Sequence, residues 1–282
     1  MEARVDSSRL RQILEAIVGE RNPFSGQSHL AAVEAFIERE LASCGLQIES
    51  DYFSYRGGKF RNVIGRLGSD STGPRIIIGA HFDSVQGSPG ADDNASGVAV
   101  LLEAARVLSK KKLSSQVIFA AFQLEEFNMV GSTHFARKLK GAEAKVDAMM
   151  SLEMVGYTDS RAGSQKYPAG LGRLYPDRGD FIGVIGNWRS NRLLRRFAQS
   201  LRQVDGLPVE TLSLPGNGMF VPAARLSDHA PFWDLGFSAL LITDTAFLRN
   251  PHYHRASDTL DSLDISFMAK VCEGVIRGVL AL

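Results

Sequence analysis

The sequence predicts an α/β protein, a three-layer α/β/α fold on a central mixed, mostly parallel sheet. Three observations carry that expectation. Helix-spaced segments alternate with strand-like ones along the whole chain. The strands at 75–80 and 116–123 are continuously apolar, as strands covered on both faces are. No linker, internal repeat or low-complexity tract divides the 282 residues, so one domain over 1–282 is expected.

Apolar residues first recur at helical spacing at Leu10, Ile13, Leu14 and Ile17. They recur again from Leu30 through Val33, Phe36, Ile37 and Leu41 to a stop at Cys44-Gly45. Two strands are expected next, 46–55 and 62–67, around the turn Arg56-Gly57-Gly58. Strand 75–80 leads through a loop into helix 97–108, whose Val98, Leu101, Leu102 and Ala105 share one face. Strand 116–123 ends in Glu125-Glu126. Helix 132–140, strand 146–150 ending in Glu153, and a Gly/Pro-rich insert at 157–179 come next. Strand 181–185, helix 191–204, strands 209–214 and 239–243 and helix 265–280 complete the pattern.

Composition excludes several classes of function. A net charge of +1, from 32 basic and 31 acidic residues, offers no polyanion-binding field, so no nucleic-acid partner is expected. The locally basic stretch from Arg189 to Arg202 has helical spacing and reads as a solvated helix face. No stretch approaches the ~20 apolar residues of a membrane span. No secretory signal is visible, because Glu15 splits the first apolar cluster and no cleavage site follows. Cys44 and Cys272, far apart within helical patterns, read as free thiols. A cytoplasmic location is therefore expected. Oligomeric state is not legible.

The polar residues are less ordinary. Apolar strand 75–80 ends not in neutral turn residues but in "GAHFDSVQGSPGADDNASG", with His81, Asp83, Asp92 and Asp93. Glu125-Glu126 follow a second strand, Glu153 a third, and His252-Tyr253-His254 trail a fourth. Ligands of open α/β sheets gather beyond the carboxyl ends of strands, and carboxylates crowded there repel one another unless a cation lies among them. Imidazole and carboxylate without thiolate fit catalytic zinc, with Mn2+ or Co2+ as possible substitutes. His81 is placed to bind metal through one ring nitrogen while Asp83 accepts the proton of the other. Of the adjacent Glu125 and Glu126, one suits a ligand and the other a proton acceptor.

These residues resemble the bacterial co-catalytic di-zinc aminopeptidases, whose clan includes glutamate carboxypeptidase, the transferrin receptor and the glutaminyl cyclases. The likeness runs through "GAHFDS", "PGADDNASGVAVLLE", "LEEFNMVGS", "SLEMVGY", "SDHAPFW" and "YHRASDTLD" in the family order. No H-E-x-x-H, G-x-S-x-G, P-loop or G-x-G-x-x-G competes with it.

The resemblance implies a zinc-exopeptidase-like fold and two Zn2+ bridged by Asp93, with His81 and Glu153 completing one site and Glu126 and His254 the other. It makes Glu125 the general base and Tyr253 a hydrogen-bond donor to the oxyanion. Asp228 looks like a residue supporting the ligands, although helix capping explains it almost as well. The position of Glu153 is commonly Asp in the family, and the added methylene bears on denticity. By spacing alone either His252 or His254 could bind metal; only the match of "YHRASD" selects His254. Asn94-Ala95-Ser96 fits a glycosylation sequon but lies inside the metal loop. The implied reaction is hydrolysis of a peptide bond releasing an N-terminal residue from a peptide or small aminoacyl substrate. The alternatives are a single-zinc glutaminyl cyclase, a carboxypeptidase using Arg225 or Arg249 for the substrate carboxylate, and a non-catalytic binding protein.

Overall fold

The computed structural model describes residues 4–68 and 73–282. Helix α1 (Ser7–Ile17) begins where the Asp6 carboxylate accepts the Ser8 and Arg9 amides (2.9 and 3.4 Å), and it buries Leu10, Ile13, Leu14 and Ile17. Helix α2 (Gln27–Ser43) leads to the hairpin β1 (Gln47–Tyr55) and β2 (Gly58–Leu67). The turn is only Arg56-Gly57, both at positive φ, a two-residue loop that suits the twist of a hairpin. Gly58 therefore opens β2, four residues before the expected Asn62.

Strands β3 (Arg75–His81), β4 (Gln116–Phe122), β5 (Val146–Glu153) and β8 (Ala239–Thr243) run parallel in the order β4-β3-β5-β8. Strands β1 and β2 extend the sheet beyond β4, and β6 (Ile182–Asn187) and β7 (Val209–Leu214) extend it beyond β8. Strand β2 is antiparallel to β4 and β6 to β8, so the sheet is mixed with parallel pairs at its centre. Strand β5 is three residues longer than expected, which puts Glu153 inside the ladder opposite Thr243.

Helices α3 (Gly97–Leu108), α5 (Asn191–Leu201) and α7 (Ile265–Leu280) join α1 and α2 over the larger core. Helix α4 (Val130–Gly141) covers the opposite face with α6 (His229–Asp234), a six-residue helix the sequence reading did not anticipate. Its Pro231 and its brevity hide any helical period. Helix α4 packs on the hairpin strands β1 and β2, and α6 on β5 and β8. The irregular 157–179 insert reaches β7, where the Tyr175 hydroxyl donates to the Thr211 carbonyl (2.9 Å), and it is closed by reciprocal amide bonds between Asp159 and Gly179 (2.8 and 2.9 Å). Cys44 and Cys272 are free. No described helix is long and apolar enough to cross a membrane.

Candidate active site

The four central parallel strands deliver their polar residues to one end of the sheet. His81 closes β3, and its Nε2 lies 3.3 Å from Asp93 Oδ1 and 3.4 Å from Glu153 Oε1. His254 approaches from the loop after β8, with Nε2 3.0 Å from Asp93 Oδ2 and 3.3 Å from Glu126 Oε2. Each oxygen of Asp93 thus faces a different histidine. Two triads result, His81-Asp93-Glu153 and Asp93-Glu126-His254, with donor atoms of each close enough to surround one ion. A third grouping, His81-Glu125-Glu126, overlaps them, but Glu125 comes no nearer His81 than 3.9 Å.

Asp93 is aimed by its surroundings. It sits in a π-helical turn, Ala91–Ser96, with non-helical φ/ψ at Asp93 and Asn94 and a cis Asp93–Asn94 peptide. The Asp258 carboxylate bridges the amides of Asp92 (2.9 Å) and Asp93 (3.1 Å). The neighbouring Asp92 carboxylate points the other way, accepting from the Gly156 amide (2.9 Å) and Asn250 Nδ2 (2.7 Å). Asn94 is fully buried, donating to the Leu152 carbonyl (2.8 Å), so the sequon is a structural residue. Beneath the loop, the buried Arg21 guanidinium donates to the carbonyls of Ile17, Gly19, Phe82, Pro89 and Gly90 at 2.6 to 2.9 Å. Neither Asp258 nor Arg21 was assigned a role from sequence, since Asp258 acts on amides 165 and 166 positions away and Arg21 ties the loop at Phe82, Pro89 and Gly90 from 61 to 69 positions away.

The predicted His81–Asp83 relay is modified. His81 Nδ1 faces the Asp83 carbonyl oxygen (3.2 Å) more closely than its carboxylate (3.6 Å). The carboxylate instead accepts the amides of Glu125 (3.1 Å) and Glu126 (3.3 Å). Asp83 therefore fixes the turn carrying both glutamates. Glu153 is held by the Ser227 hydroxyl at 2.7 Å, a partner the sequence did not suggest. Glu126 Oε1 is buried with no hydrogen-bond partner, as a carboxylate awaiting a cation would be. His252 turns away, bonding Ser257 Oγ through Nδ1 (2.9 Å). The 252–254 segment is a turn rather than the extended chain assumed in reading the two histidines as equivalent. Tyr253 stacks on His254 with ring centroids 3.8 Å apart.

Charge crowding dominates the electrostatics. Burial and the Asp93 charge push Glu126 up to about 7, and burial pushes Glu125 well above the usual carboxylate range. Burial opposes ionisation of Asp93 too, but the hydrogen bonds from His254 and His81 outweigh it and hold the carboxyl below its ordinary value. Asp228 stands at the start of α6 without a capping bond, which overturns the capping reading. Both its oxygens are buried without a hydrogen bond of standard geometry, and burial raises it to about 7. The Ser132 hydroxyl lies near enough to favour the Asp228 anion but is committed to the Met129 carbonyl.

His229, next along, is a core residue. It is fully buried edge-on to Trp233 (4.3 Å), with Nε2–H donating to the Ala224 carbonyl (2.8 Å), and burial pushes it down to about 3. The unfolded chain takes up this proton below about 6.5 while the folded chain refuses it until about 3. Its stabilising effect is complete above 6.5 and declines as pH falls. From pH 7 to 5 this residue should cost ~2 kcal/mol. Urea unfolding at both pH values should show a loss smaller by about that amount in His229→Gln; equal losses would refute the assignment.

Beside the triads opens a cleft, continuous with solvent and reaching from Glu153 and Tyr253 to Tyr175 and Glu210. Among the described residues no lysine or arginine lines it. Arg225 is occupied by the Asn217 carbonyl (2.6 Å) and Asp234 (2.7 Å), and Arg249 by Gln165 (2.9 Å) and the Phe181 carbonyl (2.9 Å). Neither cation suggested for a substrate carboxylate faces the cleft.

A mixed α/β/α sheet with histidine–carboxylate triads at its central strand ends defines the class, a metallopeptidase-type α/β fold. The chain belongs to peptidase family M28, whose profile matches residues 62–279. It is 40% identical over 252 residues to the uncharacterized protein YfbL of Escherichia coli, covering 86% of this chain and 77% of that one. It is 28% identical over 257 residues to a probable leucine aminopeptidase of Arthroderma otae, covering 84% of this chain but only 62% of that one. Among solved structures it resembles BSAP, a zinc aminopeptidase from Bacillus subtilis. The TM-score is 0.76 at 16% identity, over 99% of this chain and 95% of that one.

Proposed function

We propose that the protein is an aminopeptidase with two zinc sites sharing Asp93, where Mn2+ or Co2+ could substitute for zinc. The observation carrying this reading is the division of Asp93, one oxygen toward His81 and one toward His254. The donor set fits the metal: two imidazoles, three carboxylates, no thiolate, and a buried Glu126 oxygen otherwise unpartnered. His81 and Glu153 would hold one ion and Glu126 and His254 the other. Bound ions would supply Lewis acidity, lowering the pKa of a water and polarising the scissile carbonyl.

The remaining work falls to side chains. Glu125, on the turn fixed by Asp83, takes a proton from the attacking water and returns it to the leaving amine. Tyr253 keeps its proton, because burial and the nearby carboxylates push its hydroxyl far above the ordinary phenol value. It is thereby suited to donate a hydrogen bond to the developing oxyanion. The carboxylates of the triads attract a free α-amine, whereas the absence of a lysine or arginine from the cleft lining among the described residues disfavours carboxypeptidase action.

The test compares dipeptide amides with free and N-acetylated termini. Acetylation should lower kcat/KM at least ~10-fold by removing the charged amine. Blocked peptides cleaved equally well would sink the reading. Full activity with one zinc per chain would favour the glutaminyl cyclase alternative.

A further inference from the structure

The register of the sheet extends the aminopeptidase reading, on which the following rests, to a class of substrate. Glu153 on β5 pairs with Thr243 on β8, Thr243 with Gly183 on β6, and Gly183 with Glu210 on β7. These four residues form one unbroken row across the sheet, and all four line the cleft. The adjacent row, Leu241-Ile185-Leu212, lines it too and is wholly aliphatic.

The middle of the polar row carries no bulk. Gly183 leaves a trough between Thr243 and Glu210, and a Cβ built there would already press on the Thr243 carbonyl oxygen at 3.2 Å. Tyr167, Leu171, Tyr175 and Phe247 wall the trough from the loops, so its sides are aromatic and aliphatic. Tyr175 is fastened by its hydroxyl to the Thr211 carbonyl (2.9 Å), and Tyr167 by its own to the Pro176 carbonyl (2.5 Å). Neither hydroxyl is turned to Glu210. Among the described residues no cation pairs with Glu210.

We propose that this trough receives the side chain of an N-terminal lysine or arginine, with Glu210 pairing its cation. Three interstrand steps of ~4.8 Å place the Glu210 backbone ~14 Å from that of Glu153. A substrate α-carbon held above Glu153 projects a lysine or arginine stem of roughly 6 Å toward Glu210, whose own side chain reaches back several ångströms. The stem lies over Leu241, Ile185 and Leu212. A shorter aliphatic side chain would fill the near end and leave Glu210 solvated, so leucine and methionine are second-best substrates. Glutamate and aspartate are rejected by like charge.

Edge strands also carry charges simply to block pairing with other chains, and such a charge would have no substrate signature. A panel of free-amine aminoacyl amides separates the two roles. Lysyl and arginyl substrates should exceed leucyl and methionyl ones in kcat/KM. Glu210→Gln should lower the lysyl-to-leucyl ratio ~10-fold or more, Glu210→Asp should partly restore it, and Glu210→Lys should raise relative activity toward glutamyl substrates. Leucyl amides cleaved best, or a ratio unmoved by Glu210→Gln, would overturn the subsite while leaving the aminopeptidase reading standing. Failure on every free-amine substrate, with cleavage of N-acetylated ones, would overturn both.

Discussion

Glu125→Gln is expected to lower turnover by ~10²-fold or more while the zinc content of the protein stays unchanged. The substitution keeps size and hydrogen-bonding capacity and removes only the ability to accept a proton. The turn itself should persist, because Asp83 holds it through the backbone amides of residues 125 and 126, which the variant retains. Glu126 is the ligand candidate of the pair, lying 3.3 Å from His254, whereas Glu125 stands 3.9 Å from His81 and outside both triads that share Asp93. Near-normal turnover would refute the assignment of the base. Loss of metal along with turnover would show instead that Glu125 is a ligand and that the two glutamates have been exchanged.

What was legible in the sequence follows the range of the interactions involved. The eight strands and the long helices are local patterns of burial, placed by helical spacing, by continuous apolar runs and by turn residues, although boundaries at Gly58 and Glu153 were missed where polar residues continue a ladder. The gathering of acids at strand ends was legible because apolar strands do not ordinarily end so. Which of Asp92 and Asp93, or of His252 and His254, faces the centre was not. Adjacent or alternate residues differ in direction only through the irregular backbone of the π-helical turn and the 252–254 turn, and the family match supplied the choice. The groups that aim the ligands were hidden altogether. Asp258 fixes Asp93 from 165 positions away, and Ser227 fixes Glu153 from 74. The row ending at Glu210 exists only through strand register, which sequence pattern does not define for non-consecutive strands.

The other large effect should follow from the carboxylate the two sites share. Asp93→Ala is expected to abolish binding of both zinc ions, His254→Ala to lose one, and His252→Ala to keep both. The ranking follows from position: Asp93 contacts both histidines, His254 belongs to one triad, and His252 is engaged with Ser257. Removing the Asp93 side chain leaves its backbone amide on Asp258, so the loop retains its main anchor and the variant should fold. Metal binding to the folded state alone adds stability by mass action, about 2.7 kcal/mol when free metal is ~100-fold above Kd. Wild-type Tm should therefore drop when a chelator is added, while the Tm of Asp93→Ala should not respond. A variant that still carries two zincs after dialysis, or whose Tm falls with chelator as far as the wild type does, would show that Asp93 does not bridge the sites. In that case the orientation of its two oxygens toward His81 and His254 would be hydrogen bonding alone.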